Sequence, residues 1–327
     1  MNKEYNLVWG EPIIVRQALV ETLGSDFSLS NKPLLDMGYP PHLGTPKLIE
    51  QLKNLAERQS GIRPKHLFVT CGASGAINAA LYALKTTRTN WVVTNKRHFP
   101  MYPSIVGLTD MIMISKSRKD ELLREWGQID DKNGNFLSLI DSPSNPEGLI
   151  YPFESVDIWD AAYASKTYGG YSSQAPKFKV MCGSLAKALG LAGLRLGWVS
   201  TNDDAIANSL SRYVDATYVG LSSVSMSAAE EILDALDLDW FESEAKGYLD
   251  DNRYEVQKLL TKFGQDCVPD RGMFAILELG AIEREALERA NVKWLPGSAW
   301  GENDSWARLN LGVTRETMKS AIKTILK

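Results

Sequence analysis

One lysine stands alone in SLAKALGLAGLRLGW, residues 184–198. An arginine follows eight positions later, and three glycines lie between Lys187 and Trp198. A lysine on the turn after an apolar strand, among small and apolar side chains, is costly to keep charged. Desolvation lowers its pKa and releases the neutral amine, which is the form that adds to a carbonyl as a Schiff base. A lone lysine at a helix start can equally point into solvent, so its company in the chain decides.

That company is specific. DAAYAS places Asp160 at the end of an apolar run with Tyr163 three residues on, and DSPSNPEG places Asn145 after another such run. TCGASGA turns from a strand into a helix, where the backbone N–H groups and the helix dipole would suit a phosphate. By itself a glycine turn before a helix is a weak signal, and Asn145-Pro146 is also a simple turn. In order, however, strand ends present a phosphate cradle, an Asn, an Asp with a Tyr, and a Lys, with Arg195 close behind. These are the groups needed to hold a pyridine that carries an aldehyde and a phosphate.

Elements must bring these positions together. HLFVTCG, NWVVTN, MIMIS, FLSLID, SVDIWD and KFKVMCG read as strands that are mostly apolar on both faces. Such runs suit a parallel or mixed sheet covered by helices. Open sheets of this type bind ligands at the carboxyl ends of their strands. SGAINAALYAL has the texture of a buried helix, and PKLIEQLKNLAERQ puts Leu48, Ile49, Leu52, Leu55 and Ala56 on one helical stripe. Residues 203–263 read as mainly helical, with their longest run at 227–260. MFAILEL and ARLNLGV read as strands, and TRETMKSAIKTIL as a final helix. The expected fold is α/β: a large domain, residues 26–205, with a mostly parallel central sheet flanked by helices. A smaller α+β domain is expected from residues 1–25 and 206–327.

Composition excludes other classes. A net charge of −4 with scattered basic residues gives no reason to expect nucleic acid as a partner. Cys71, Cys182 and Cys267 form no CxxC pair, and their odd number speaks for a reducing, cytoplasmic setting. His42, His66 and His98 lack metal-ligand spacing, so no metal is expected. The N-terminal residues lack the pattern of a signal peptide. No apolar run is long enough to cross a bilayer, so no membrane is expected.

The chain resembles the fold-type I pyridoxal-phosphate enzymes, specifically the class I/II aminotransferases, along nearly its whole length. SLAKALGLAGLRLGW matches the family's Ser-x-(Ser/Ala)-Lys and Gly-x-x-Gly-x-Arg-x-Gly pattern. NPEG, DAAY, YPPHLG, the early GEP and the late ARLNLGV match further segments. The resemblance implies pyridoxal 5′-phosphate held as a Schiff base on Lys187, which also moves the proton at the substrate Cα. Asp160 would pair with the ring nitrogen, and Tyr163 and Asn145 with the phenolic oxygen. Ala73, Ser74, Ser184 and Arg195 would hold the phosphate. Tyr102 would stack on the ring, or be a core or surface tyrosine. Tyr39 would reach the phosphate site of a second subunit in a homodimer, or be a loop tyrosine. Arg308 would clamp the substrate carboxylate, and Trp9 and Gly10 would lie near the substrate.

The implied reaction moves an amino group between an amino acid and a 2-oxo acid. Decarboxylation or elimination on an amino acid or aminoacyl group is the alternative. Two departures stand out. Ala161 follows Asp160 where an acidic residue is common, and Glu147 replaces the usual Thr. The interval from Asn145 to Asp160 is also too short for the crossover helix that the family usually has there.

Overall fold

A computed structural model describes residues 3–30, 38–89, 91–120, 136–151, 155–170, 173, 175–266 and 268–327. Cys267 lies outside the described residues. The strands are β1 (Tyr5–Asn6), β2 (His66–Thr70), β3 (Trp91–Thr94), β4 (Ile112–Ser115), β5 (Phe136–Asp141), β6 (Ser155–Asp160), β7 (Lys177–Ser184), β8 (Gly197–Thr201), β9 (Phe274–Glu278), β10 (Val292–Lys293), β11 (Leu295–Pro296) and β12 (Trp306–Asn310). The helices are α1 (Ile13–Leu23), α2 (Pro46–Ser60), α3 (Gly72–Leu84), α4 (Tyr102–Gly107), α5 (Leu185–Ala188), α6 (Asp204–Tyr218), α7 (Ser223–Ala235), α8 (Leu238–Lys262), α9 (Ala281–Arg289) and α10 (Arg315–Ile325).

Seven strands form the central sheet in the order β2-β8-β7-β6-β5-β3-β4. Only β8 runs against the others. The six apolar runs named from the sequence supply the other six strands. Their alternate side chains enter two cores. Met181 and Trp198 face one, while Val180, Cys182 and Val199 face the other. Burial on both faces is why the inner strands read as continuous apolar runs, while β4 at the edge is only partly covered. β8 escaped the sequence reading because GWVST is short and fully buried, with no polar alternation to mark it.

The expected stripe on α2 is real. Leu48, Leu52, Leu55 and Ala56 are buried, and Ile49 packs beside them. Thr45 caps the helix by accepting the Leu48 N–H at 3.2 Å, and Pro46 sits at its first position, where the missing N–H costs nothing. The long run at 227–260 is two helices, not one. Asp237 accepts the N–H groups of Asp239 and Trp240, both at 3.1 Å, and so starts α8 anew. Its side chain competes with the helical backbone, which the hydrophobic pattern alone does not register.

β9, β11 and β12 form a separate antiparallel sheet in the order β11-β12-β9, and β1 pairs in parallel with β10. The first residues of the chain thereby join its last third. α1 and α10 pack on α8 beside this sheet. β5 and β6 are parallel neighbours, and the described residues between them, 142–151, contain no helix. That agrees with the shortness of the interval.

Candidate active site

The carboxyl ends of β2, β5, β6 and β7 surround a cavity of about 270 Å³. Lys187 enters it from α5, a single turn begun by Ser184, whose hydroxyl accepts the Ala186 N–H at 3.2 Å. The Lys187 amine donates to the Gly10 carbonyl and lies 5.8 Å from the centre of the Tyr163 ring. Burial lowers its pKa to about 8, the positive charge of Arg308 adding to the effect and Asp160 opposing it. The amine is therefore partly neutral near physiological pH, as the sequence argument requires.

Asp160 ends β6 and is buried. One oxygen accepts the Tyr102 hydroxyl at 2.9 Å and the other accepts the Ala162 N–H at 3.1 Å. Burial raises its pKa, while these two hydrogen bonds and the charge of Lys187 hold it down. Tyr163 lines the cavity, its ring edge-on to Tyr168 at 5.1 Å and to Phe274 at 5.9 Å.

Tyr102 requires a correction. The sequence reading allowed it to stack over a cofactor ring, but it is fully buried and is spent on the Asp160 carboxylate. Phe99, from the same FPMYP segment, lines the cavity instead, with the two rings edge-to-face at 5.5 Å. The turn into α4 separates the two positions, so only the nearer aromatic reaches the cavity.

Arg308 on β12 is buried. It donates to Asn145 Oδ1 at 2.8 Å and to the Val8 carbonyl at 3.0 Å, and its guanidinium lies 4.0 Å from the centre of the Phe274 ring. Burial lowers its pKa to about 10, still high enough for full charge at neutral pH. Its Nε has no hydrogen-bond partner among the described residues. Asn145 and Arg308 thus meet across the seam between the two sheets. The NPEG turn that carries Asn145 lies against 271–272, where a Cβ on Gly148 would come within 2.1 Å of the Arg271 carbonyl oxygen. Gly148 also has φ +67, so the position is closed to other residues on two grounds.

At the opposite end stand the first turn of α3, Ala73 and Ser74, together with Ser184 and Arg195. Arg195 is exposed and adopts a left-handed backbone, φ 56. A Cβ on Gly72 would lie 3.4 Å from the guanidinium, and one on Gly197 would strike the Gly72 backbone at 2.5 Å. Gly197 of the lysine motif therefore lets β8 approach the start of α3 closely enough to set Arg195 beside it.

Residues 8–11 cross the site through their backbone. Val8 O meets Arg308, Gly10 O meets Lys187, and the carbonyls of Trp9 and Glu11 accept from Asn310 Nδ2 at 2.6 and 3.1 Å. The Trp9 side chain itself is 71% exposed. Tyr39 is 90% exposed and stands apart from the cavity of its own chain. Two participants had no place in the sequence reading: Phe99 and the buried acid Asp141.

A family model described as aminotransferase class I and II matches residues 35–325. The chain belongs to that family. Pyridoxal phosphate is the general cofactor of its members. A tryptophan aminotransferase-related protein of rice is 30% identical over 193 residues, covering 57% of this chain and 42% of that protein. A tyrosine aminotransferase of Dictyostelium discoideum is 24% identical over 323 residues, covering 86% of this chain and 76% of that one. The crystal structure of an aromatic aminotransferase from Pyrococcus horikoshii superposes with a TM-score of 0.77 at 19% identity, over 99% of this chain and 95% of the other. That likeness establishes the fold. The chain spans less than half the length of the plant tryptophan aminotransferase-related proteins it matches.

Proposed function

We propose that the protein is a pyridoxal-phosphate-dependent aminotransferase that moves an amino group between an amino acid and a 2-oxo acid. One observation carries this reading: a lysine amine with its pKa lowered to about 8 stands in one cavity with a buried carboxylate, beside a buried arginine. The donor set fits the cofactor. Asp160 suits a protonated ring nitrogen, Phe99 offers a flat apolar wall, and Arg195 with the start of α3 suits a phosphate. When bound, pyridoxal phosphate supplies an aldehyde for amine exchange and a ring that takes up the electron pair left at the substrate Cα.

The residues of the chain do the rest. Asp160, backed by Tyr102, keeps a proton on the ring nitrogen. Arg308 receives the substrate carboxylate, for which its planar fork is suited, and the Asn145 amide stays beside it. Lys187, as a free amine, would be the group that takes the proton from the substrate Cα and moves it within the site. The backbone of residues 8–11 lies over Lys187 and Arg308 and keeps bulk water from that exchange.

We infer that the amino donor has an uncharged, aromatic or apolar side chain. Beyond the groups already assigned, the described lining holds Gly72, Asp141, Ala162, Ala186 and Ala192, with no further basic side chain for a second carboxylate. Several relatives carry tryptophan, tyrosine or aromatic amino acids in their names. The exposed Tyr39 supports a homodimer in which it serves the second subunit's phosphate site. The free thiols Cys71 and Cys182 suit the cytoplasm. No described helix is long and apolar enough to cross a membrane.

The test is a visible spectrum of the protein loaded with pyridoxal phosphate, recorded against a panel of amino acids. An aromatic amino acid should convert the chromophore to the pyridoxamine form, and a 2-oxo acid should restore it. Release of carbon dioxide without that reversible conversion would contradict the reading.

A further inference from the structure

Asp141 ends β5 directly beside Asp160, its register partner on β6. Both carboxyls are buried, at 2% and 5% exposure. Their hydrogen bonding differs. Both oxygens of Asp160 have partners. Asp141 uses only Oδ2, which accepts the Asn145 N–H at 2.6 Å. Its Oδ1 is buried without a partner among the described residues, although Asp141 lines the same cavity as Lys187. Leaving a buried polar atom unpaired costs about 1–3 kcal/mol, so such an atom on a residue that lines a cavity points to a ligand.

We propose that Asp141 is a further ligand-binding residue of this site, its free Oδ1 donating a hydrogen bond to an acceptor atom of the bound cofactor. The inference rests on the reading of the cavity as a pyridoxal-phosphate site. The surrounding groups decide the direction of that bond. The charged groups acting on Asp141 are Asp160 on β6 and Glu147 on the turn that follows β5, and both are acidic. Tyr102 on α4, Tyr151 beyond the NPEG turn and Tyr163 after β6 complete its titratable surroundings, and burial keeps all three protonated. Lys187 pairs with the field of Asp160, and Arg308 reaches Asn145. Burial, and then the charge of Asp160, push the Asp141 carboxyl well above the usual range, with the Asn145 N–H opposing. Two carboxyls at adjacent strand ends do not both ionise readily. Asp160 carries the charge that the ring nitrogen needs, and Asp141 carries the proton. Because Oδ2 already accepts from Asn145, that proton sits on Oδ1, the oxygen left without a partner among the described residues.

The test is infrared difference spectroscopy between apoprotein and protein loaded with pyridoxal 5′-phosphate at pH 7.5, beside fluorescence titration of the same apoproteins with the cofactor. Wild type should show the carbonyl stretch of a protonated carboxylic acid that shifts to lower frequency on loading. Asp141→Asn should lack that band yet bind within a few-fold of wild type, because its amide can accept from Asn145 and still donate into the cavity. Asp141→Leu should bind about tenfold or more weakly, the loss of one to two kcal/mol of hydrogen bonding. A band that persists in Asp141→Asn, or no protonated-acid band in wild type, overturns the proposal. So does wild-type affinity in Asp141→Leu. If Asp141→Leu does not fold, the infrared band and Asp141→Asn decide alone. A wild-type protein that takes up no cofactor defeats the proposed function itself, an outcome distinct from all of these.

Discussion

Arg308 and Asn145 are hydrogen-bonded at 2.8 Å, yet one stands on the three-stranded sheet and the other on the turn after β5 of the seven-stranded sheet. The guanidinium that would meet a substrate carboxylate is thus aimed by the same amide that borders the cofactor cavity. Its position depends on how the two sheets are held together.

Arg308→Lys tests this directly. A lysine keeps a charge but loses the fork, so one of the two present hydrogen bonds and the paired grip on a carboxylate disappear. The expected result is a rise in KM for the amino acid with kcat/KM lower by about tenfold to a hundredfold. Cofactor affinity should be unchanged. Steady-state kinetics together with a cofactor titration would check both halves.

Tyr102→Phe removes the 2.9 Å hydrogen bond to Asp160. That bond lowers the Asp160 pKa, so its loss raises it. A carboxyl with a higher pKa ionises only at higher pH, and the acid limb of the kcat profile should therefore move upward. At neutral pH, kcat should fall by about tenfold, as for one hydrogen bond to a charged group. A pH–rate profile that superposes on wild type would place Tyr102 in the core alone.

Arg97 ties the two sheets from the outside. It donates to Glu147 at 2.8 Å and to Glu302 at 2.9 Å, and lies 4.6 Å from the centre of the Trp306 ring. This gives the unusual glutamate of the NPEG turn a physical role, as an anchor for the turn that carries Asn145. Arg97→Met takes one cationic partner from each of two largely covered carboxylates, at 14% and 10% exposure, and leaves Glu147 with the Tyr151 hydroxyl and Glu302 with Lys96. The expected cost is about 2 kcal/mol, reduced from the fully buried case because Arg97 is itself partly exposed. A lower urea midpoint with an unchanged slope would show it.

Lys187 sets a pH dependence. Its pKa of about 8 in the folded protein lies below the ordinary 10.5, so the neutral amine grows as pH rises toward and through 8. The rate at which apoprotein takes up pyridoxal phosphate should rise over that interval and then level. In the apoprotein the charged form is disfavoured. Stability should therefore increase with pH between about 8 and 10.5, and Lys187→Met should flatten that increase in thermal melts.

The motif residues were legible because short strand-end signals carry them. A lysine after a buried strand, an Asn-Pro turn and an Asp closing an apolar run each retain a local signature, and the structure gathers Lys187, Asn145 and Asp160 round one cavity. The choice between Phe99 and Tyr102 was not legible, since it depends on which side of a turn faces the cavity. Asp141 closes its apolar run just as Asp160 does, but its role was not legible, because an unpaired oxygen on a cavity-lining residue arises only from the three-dimensional neighbourhood. The bonds from residues 8–11 use backbone carbonyls, which leave no trace in side-chain pattern. The break before α8 depends on one capping aspartate inside an otherwise helical run.

The most direct test of the account is to incubate the protein with pyridoxal phosphate, reduce it with borohydride and locate the label by peptide mass spectrometry. A single pyridoxyl group on Lys187, absent from Lys187→Ala, is the expected result. A label on another lysine alone, or none at all, would contradict it.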